Sequence, residues 1–145
     1  MVISWAIASV PYTMALYVLL TRGSIALGAI LLAQSVFNYL LKIGIREPRP
    51  QGSDATCGFS SFGMPSSHAQ LVIFLVLLIW PKSPFAWALT IAVLVQRVVS
   101  KCHTVSQVVA GAAAGASIYY VTIRLFPYIA QPHLSSCRFE RYYIE

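Results

Sequence analysis

Five apolar blocks, at 3–20, 24–41, 68–80, 84–100 and 104–126, take up most of this chain. A helix that crosses a bilayer needs about 20 mostly apolar residues at 1.5 Å rise each. The first, second, fourth and fifth blocks meet or approach that length. The third is short. Extended back to Pro65 it reaches about 24 Å at that rise, against roughly 27 Å for an endoplasmic reticulum bilayer core. Its start is therefore expected slightly below the membrane surface, where irregular backbone is tolerated if it lines a polar cavity. Composition agrees. Of the 145 residues 58% are hydrophobic and 10% are charged, where a soluble domain carries about 25% charged residues. The expected fold class is all-α, an integral membrane helical bundle of about five transmembrane helices.

The breaks between blocks are legible. Thr21-Arg22-Gly23 and Pro81-Lys82-Ser83-Pro84 read as tight turns, and Lys101-Cys102-His103 as a short polar break. The long connection, 43–64, is rich in Gly, Ser and Pro and reads as a loop. The expected organisation is one membrane domain over 1–127, followed by a short polar tail over 128–145. The first block is long for a signal-peptide core and is not preceded by a side-chain positive charge, so it reads as a spanning helix. Gly111 and Gly115 lie among alanines at a spacing that suits close helix packing within the bundle.

Five spans place the basic residues. With the long loop on one membrane side, X, the break at 101–103 returns to X. The turns at Arg22 and Lys82, and the tail, fall on the other side, Y. Side X then holds Lys42, Arg46, Arg49, His68, Arg97, Lys101 and His103. Charges are expensive near lipid, so such residues are functional candidates by default. Arg46 and Lys101 read as interfacial side chains.

Within this set the chain reads Lys42-x6-Arg49-Pro50, then Pro65-Ser66-Ser67-His68, then Arg97-x5-His103-x3-Gln107. In order and internal spacing these runs resemble the three linked motifs of the type 2 phosphatidic acid phosphatase superfamily. Three linked motifs are a strong signal where one alone is weak. Ser67 stands where that superfamily has Gly, Gln96 where it has Ser, and Gln107 where it has Asp. The Ser67 and Gln107 changes, Met64, and the Val-Phe-Asn-Tyr-Leu-Leu-Lys run ending at Lys42 are similar to the dolichyl diphosphatase branch. Gln96 is a departure that this branch does not account for.

The chemistry suits a phosphoryl group. Its transfer spreads negative charge over the equatorial oxygens, so catalysis is mostly positioning and charge stabilisation. Lys42, Arg49 and Arg97 supply three cations, and the arginine fork matches phosphate geometry. Pro65-Ser66-Ser67 reads as a helix start whose free N–H groups, with the Ser66 and Ser67 hydroxyls, suit an anion. His103 is read as opening the fifth helix, with Gln107 one turn on and on the same face, able to accept the ring N–H and fix its tautomer. The resemblance implies that His103 is the nucleophile, forming a phosphohistidine, and that His68 is the general acid. No cofactor and no metal enter this scheme: only Glu47 and Asp54 are acidic on side X, too few for the usual oxygen cage.

Positive charges split evenly, five on X and five on Y. Discounting the X charges that have a catalytic reason makes Y cytoplasmic and X luminal. If X is luminal, a Cys57–Cys102 disulfide can form there. The resemblance implies a multi-pass endoplasmic reticulum membrane protein that hydrolyses dolichyl diphosphate to dolichyl phosphate and phosphate, recycling the carrier lipid of protein N-glycosylation. Expected partners are the polyprenyl lipid and the bilayer. The net charge of +6 fits anionic lipid, and no soluble basic surface supports nucleic-acid binding. Two alternatives stand beside this reading. One is a phosphatase for another lipid: undecaprenyl diphosphate, phosphatidate or a sphingoid phosphate. The other is a catalytically inactive membrane binding protein with the same fold.

Overall fold

The computed structural model describes residues 2–22, 24–53, 57 and 61–129. Five helices follow one another: α1 (Val2–Arg22), α2 (Ile25–Ile45), α3 (Ser67–Ile79), α4 (Pro84–Val99) and α5 (Val105–Leu125), with a 3-10 turn at Pro127–Ile129. Among the described residues there is no strand, only an isolated antiparallel bridge between Pro48 and Phe62 inside the long loop. Of the tail, residues 130–145 lie outside the described set, as does Gly23 of the first turn.

The helix starts follow local side-chain chemistry. Ser24 and Ser83 each accept a hydrogen bond from a backbone N–H three residues on, and Pro84 adds a preset φ at the first position of α4. Thr104 and Gln107 form a capping box at α5. This cap moves the start of α5 to Val105, so His103 sits in the preceding turn rather than opening the helix. At the other end, α2 runs past the expected end at 41 to Ile45. An isolated glycine, Gly44, is tolerated within it, and Pro48 disfavours helical backbone at the residue before it. Lys42 thus lies in the last turn of α2, and Arg46 closes it in the left-handed region with φ 55°.

α3 is the central element. Ala69, Val72, Phe74, Leu75 and Val76 are fully buried, enclosed by α1, α4 and above all α5. Two glycines let α5 approach. A Cβ on Gly111 would collide with the Ser66 carbonyl oxygen, and one on Gly115 with that of Gln70. The Gly-x3-Gly pattern therefore serves packing within the bundle. An apolar cluster of Val18, Leu27, Leu31, Phe74, Leu75 and Leu78 ties α1 and α2 to α3.

α2 and α5 are long and apolar enough to cross a membrane, yet only 22% of each spanning window is buried. Ile25, Leu32, Val109 and Leu125 face outward, the inside-out pattern of a membrane helical bundle. The five helices match the expected membrane bundle of about five, and these two pass the test of length and apolarity within the described residues. α1 has the same 21 residues, whereas α3 and α4 are shorter apolar helices. For α3 the reason is its position: enclosed by protein, it need not match the thickness of the lipid.

Candidate active site

The three sequence motifs meet on one buried amide. Gln107 is fully buried, and each of its polar groups has a partner. Its Oε1 accepts from the His103 ring at Nδ1 (3.2 Å) and from the Thr104 N–H (3.2 Å). Its Nε2 donates to Glu47 Oε1 (2.8 Å) and to the Pro48 carbonyl (2.9 Å). Its backbone carbonyl accepts from the Ser66 N–H (3.0 Å). Gly63 lies so close that a Cβ there would overlap the amide. Glu47 and Pro48 belong to the first motif region, Gly63 and Ser66 to the second, and His103 to the third.

This wiring sets the imidazole. Thr104 N–H is a donor only, and the Pro48 carbonyl and a carboxylate accept only, so the amide can point one way alone. Its oxygen then faces His103, and Nδ1 carries the proton. The other nitrogen, Nε2, keeps its lone pair and lies 3.4 Å from Arg49 Nη1. Burial first, then the charges of Arg49, Arg97 and Lys42, pull the His103 pKa from the usual 6.5 to about 3, against the opposing effect of the Gln107 hydrogen bond. The ring is neutral at physiological pH.

The cations are anchored on loop carbonyls. Lys42 Nζ donates to Phe62 and Gly63 oxygens at 3.3 and 3.4 Å. Arg49 Nη1 donates to the Cys102 carbonyl at 2.9 Å, and Arg97 Nη2 to the Cys57 carbonyl at 3.2 Å. Cys57 and Cys102 form a disulfide with Cα atoms 5.2 Å apart. Each arginine therefore grips the backbone of one half of the bridge. The sequence left this pairing open.

A cavity of about 360 Å³ lies beside these groups. Lys42, Arg49, Ser67, His68 and His103 line it, together with Tyr12, Gln34, Ser35, Asn38, Gln70 and others. Both histidines face the same space. The Tyr12 ring meets His68 edge-on, with centroids 5.2 Å apart. Arg97, Ser66 and Gln107 do not line the cavity. Arg97 lies behind it, buried, with Nε unpartnered, and the Ser66 hydroxyl is likewise buried without a partner. The Ser67 hydroxyl donates to Asn38 Oδ1. Arg46 and Lys101 are exposed at the rim. Among the described residues no three His, Cys, Asp or Glu side chains gather as metal ligands.

Sequence reasoning missed Glu47, Asn38 and Tyr12. Glu47 sits within the Lys-x6-Arg-Pro run, and its acidity in a basic segment was a usable signal. Asn38 is four residues before Lys42 on one helix face, which was also readable. Tyr12 carries no such mark, because its contact depends on how α1 packs.

The fold and these motifs agree with a family match over residues 23–131, the PAP2 superfamily, and the chain belongs to that superfamily. Within the curated proteins it is similar to Dolichyldiphosphatase 1 of Mus musculus, 38% identical over 61% of this chain and 46% of that protein. It is also similar to Dolichyldiphosphatase 1 of Homo sapiens, 36% identical over the same shares. The chain thus spans about half the length of the curated relatives it matches. No solved structure matches it significantly. All of α1, including Tyr12, lies outside the family match.

Proposed function

We propose that this chain is a lipid phosphate phosphatase whose substrate is dolichyl diphosphate, with 1–127 as the catalytic unit. The observation that carries the reading is the His103 ring: neutral, held at Nδ1 by Gln107, with its Nε2 lone pair beside Arg49 and in a cavity shared with Lys42 and His68. In this reading His103 Nε2 attacks the terminal phosphorus. The P–N bond forms, the bridging P–O bond breaks, and His68, which takes up a proton as the substrate's negative charge enters the site, gives that proton to the departing oxygen. Water then attacks the phosphohistidine as His68 takes a proton from it. The P–N bond breaks, phosphate leaves, and His68 is ready to act as acid again.

Lys42 and Arg49 neutralise the phosphoryl oxygens, the part that a metal ion plays elsewhere, while Arg97, outside the cavity lining, adds its positive charge at longer range. The phosphorylated ring is cationic, and its Nδ1–H remains on Gln107. Glu47 supplies the negative charge one hydrogen bond further out, polarising the amide that holds the ring. It thereby stands in for the Asp that the family pattern has at position 107. Ser66 backs the pocket, its N–H tying the loop to Gln107. Ser67 reaches the phosphate only by leaving Asn38.

The relatives' printed name and the branch-like residues Ser67, Gln107 and Met64 support the dolichyl diphosphate assignment. The disulfide beside the site supports a luminal active face, since such bonds persist in oxidising compartments. With it goes a place in the endoplasmic reticulum membrane, recycling the glycan carrier lipid.

The test is phosphate release by the detergent-purified protein from a panel of dolichyl diphosphate, undecaprenyl diphosphate, phosphatidate and a sphingoid phosphate, with and without EDTA. Preference for the dolichyl lipid, indifference to EDTA and loss of turnover in His103→Ala are expected. An absolute magnesium requirement, or full activity in His103→Ala, rejects the mechanism.

A further inference from the structure

The cavity has two chemically different ends. One carries Lys42, Arg49, His68 and His103; the other is neutral, with Gln34, Ser35, Asn38 and Gln70. Gln34, Asn38 and Lys42 are spaced four residues apart on one face of α2. At 1.5 Å per residue they descend about 12 Å from the loop end of the helix into its apolar length. The rest of α2 is largely apolar, so a polar ladder here is a deliberate expense.

Lys42 is explained by its bonds to the Phe62 and Gly63 carbonyls, and Asn38 by helix joining. Asn38 Nδ2 donates to Gln70 Oε1 at 2.8 Å, and Gln70 Nε2 donates to the Gln34 backbone carbonyl at 2.9 Å. Such bonds glue membrane helices together, here α2 to α3. The third rung is not explained that way. The Gln34 side chain is 3% exposed and lines the cavity, yet neither its Nε2 nor its Oε1 has a hydrogen-bond partner. An orphaned amide is costly in any protein interior and more so at membrane depth. It is sustained if a ligand completes it.

The substrate supplies that ligand. With the transferred phosphoryl group held at the cationic end, the leaving group extends away from His103 toward the neutral end. In a diphosphate lipid the next polar group is the second phosphate. In a monophosphate lipid, hydrocarbon begins at that point. We propose that Gln34, backed by the rigid Asn38–Gln70 pair, forms a subsite for the phosphate that stays on the lipid, so that the cavity selects diphosphate over monophosphate lipids. Neutral amide donors suit this task. They recognise phosphate oxygens without the charge that would hold the lipid monophosphate product in the site. A monophosphate substrate leaves the Gln34 donors facing hydrocarbon, and a site built to hydrogen-bond a group penalises the analogue that lacks it. This inference rests on the phosphatase reading above.

The experiment compares polyprenyl diphosphate with polyprenyl monophosphate of equal chain length, on the full chain in detergent, as a ratio of kcat/KM values. Gln34→Leu removes both amide groups at similar volume. It is expected to lower the diphosphate-to-monophosphate ratio about tenfold, the worth of one hydrogen bond to a charged group. Gln34→Glu, which sets a carboxylate against the retained phosphate, is expected to lower it further. The ratio is internal to each preparation, so a partly misfolded variant still reports it. Product inhibition separates the two phosphates: Gln34→Leu weakens inhibition by polyprenyl monophosphate more than inhibition by inorganic phosphate, which the cationic end holds. An unchanged ratio in both variants, with a wild type active on the diphosphate and dead as His103→Ala, overturns the subsite alone. A wild type that releases phosphate from neither lipid overturns the phosphatase reading and the subsite with it.

Discussion

Position 107 shows how one residue's meaning depends on its neighbours. Read alone, a Gln where the family pattern has Asp lacks the charge that would steady a cationic imidazole. In the folded chain that charge is present, carried by Glu47 and relayed through the Gln107 amide. Glu47→Gln keeps an acceptor in place and removes the charge. We expect kcat to fall several-fold with KM little changed, since in the proposed mechanism the interaction matters most when the ring is phosphorylated. Steady-state kinetics on the diphosphate lipid checks this. The pH dependence has a definite sign. With its pKa held down to about 3, His103 stays neutral and nucleophilic down to about that pH. Its protonation therefore causes no loss of kcat/KM as pH falls from 8 to 5. A limb near pH 6.5 that shifts with the Glu47 or Gln107 variants shows that His103 titrates there, contrary to this expectation.

At the scale of elements, the site depends on how closely α5 lies on α3. Gly115 faces the Gln70 carbonyl, and Gly111 that of Ser66. Ser66 is bonded to Gln107, while Gln70 holds Asn38 on α2. One contact thus positions both ends of the cavity. Gly115→Val forces a Cβ against backbone that has little room to move. It is expected to destabilise the protein by about 1–3 kcal/mol, the usual cost of overpacking. Thermal unfolding in detergent measures it, and an unchanged midpoint shows that α5 does not need this approach. The sequence marked the helices and the glycines well, because both depend on local composition. It had His103 opening α5, two residues before its start at Val105, and the end of α2 four residues early. Those ends are set by the Thr104–Gln107 box and by Pro48, which apolar periodicity does not register.

Across the whole molecule, the disulfide joins the long loop to the turn before α5, and the two arginines hold the carbonyls of its two cysteines. Reduction releases both anchors together. Treatment with dithiothreitol is expected to lower kcat/KM about tenfold or more, each hydrogen bond to a charged group being worth roughly 1.5–3 kcal/mol, with recovery on reoxidation. Activity indifferent to the reductant, once thiol labelling confirms that the bond is broken, shows that the arginines hold their places without it.

The amino-acid sequence alone determined the class of this protein and named the residues from which the proposed chemistry is built. Apolar block length is a local property that the bilayer reads directly, and the spacing of the cations and histidines marks the PAP2 superfamily whatever their surroundings. Tertiary structure decided which groups meet. The carboxylate behind Gln107, the pairing of Cys57 with Cys102 and the unpartnered amide of Gln34 all join residues far apart in the chain. Such contacts depend on the angles and distances at which helices pack, which no run of adjacent residues encodes.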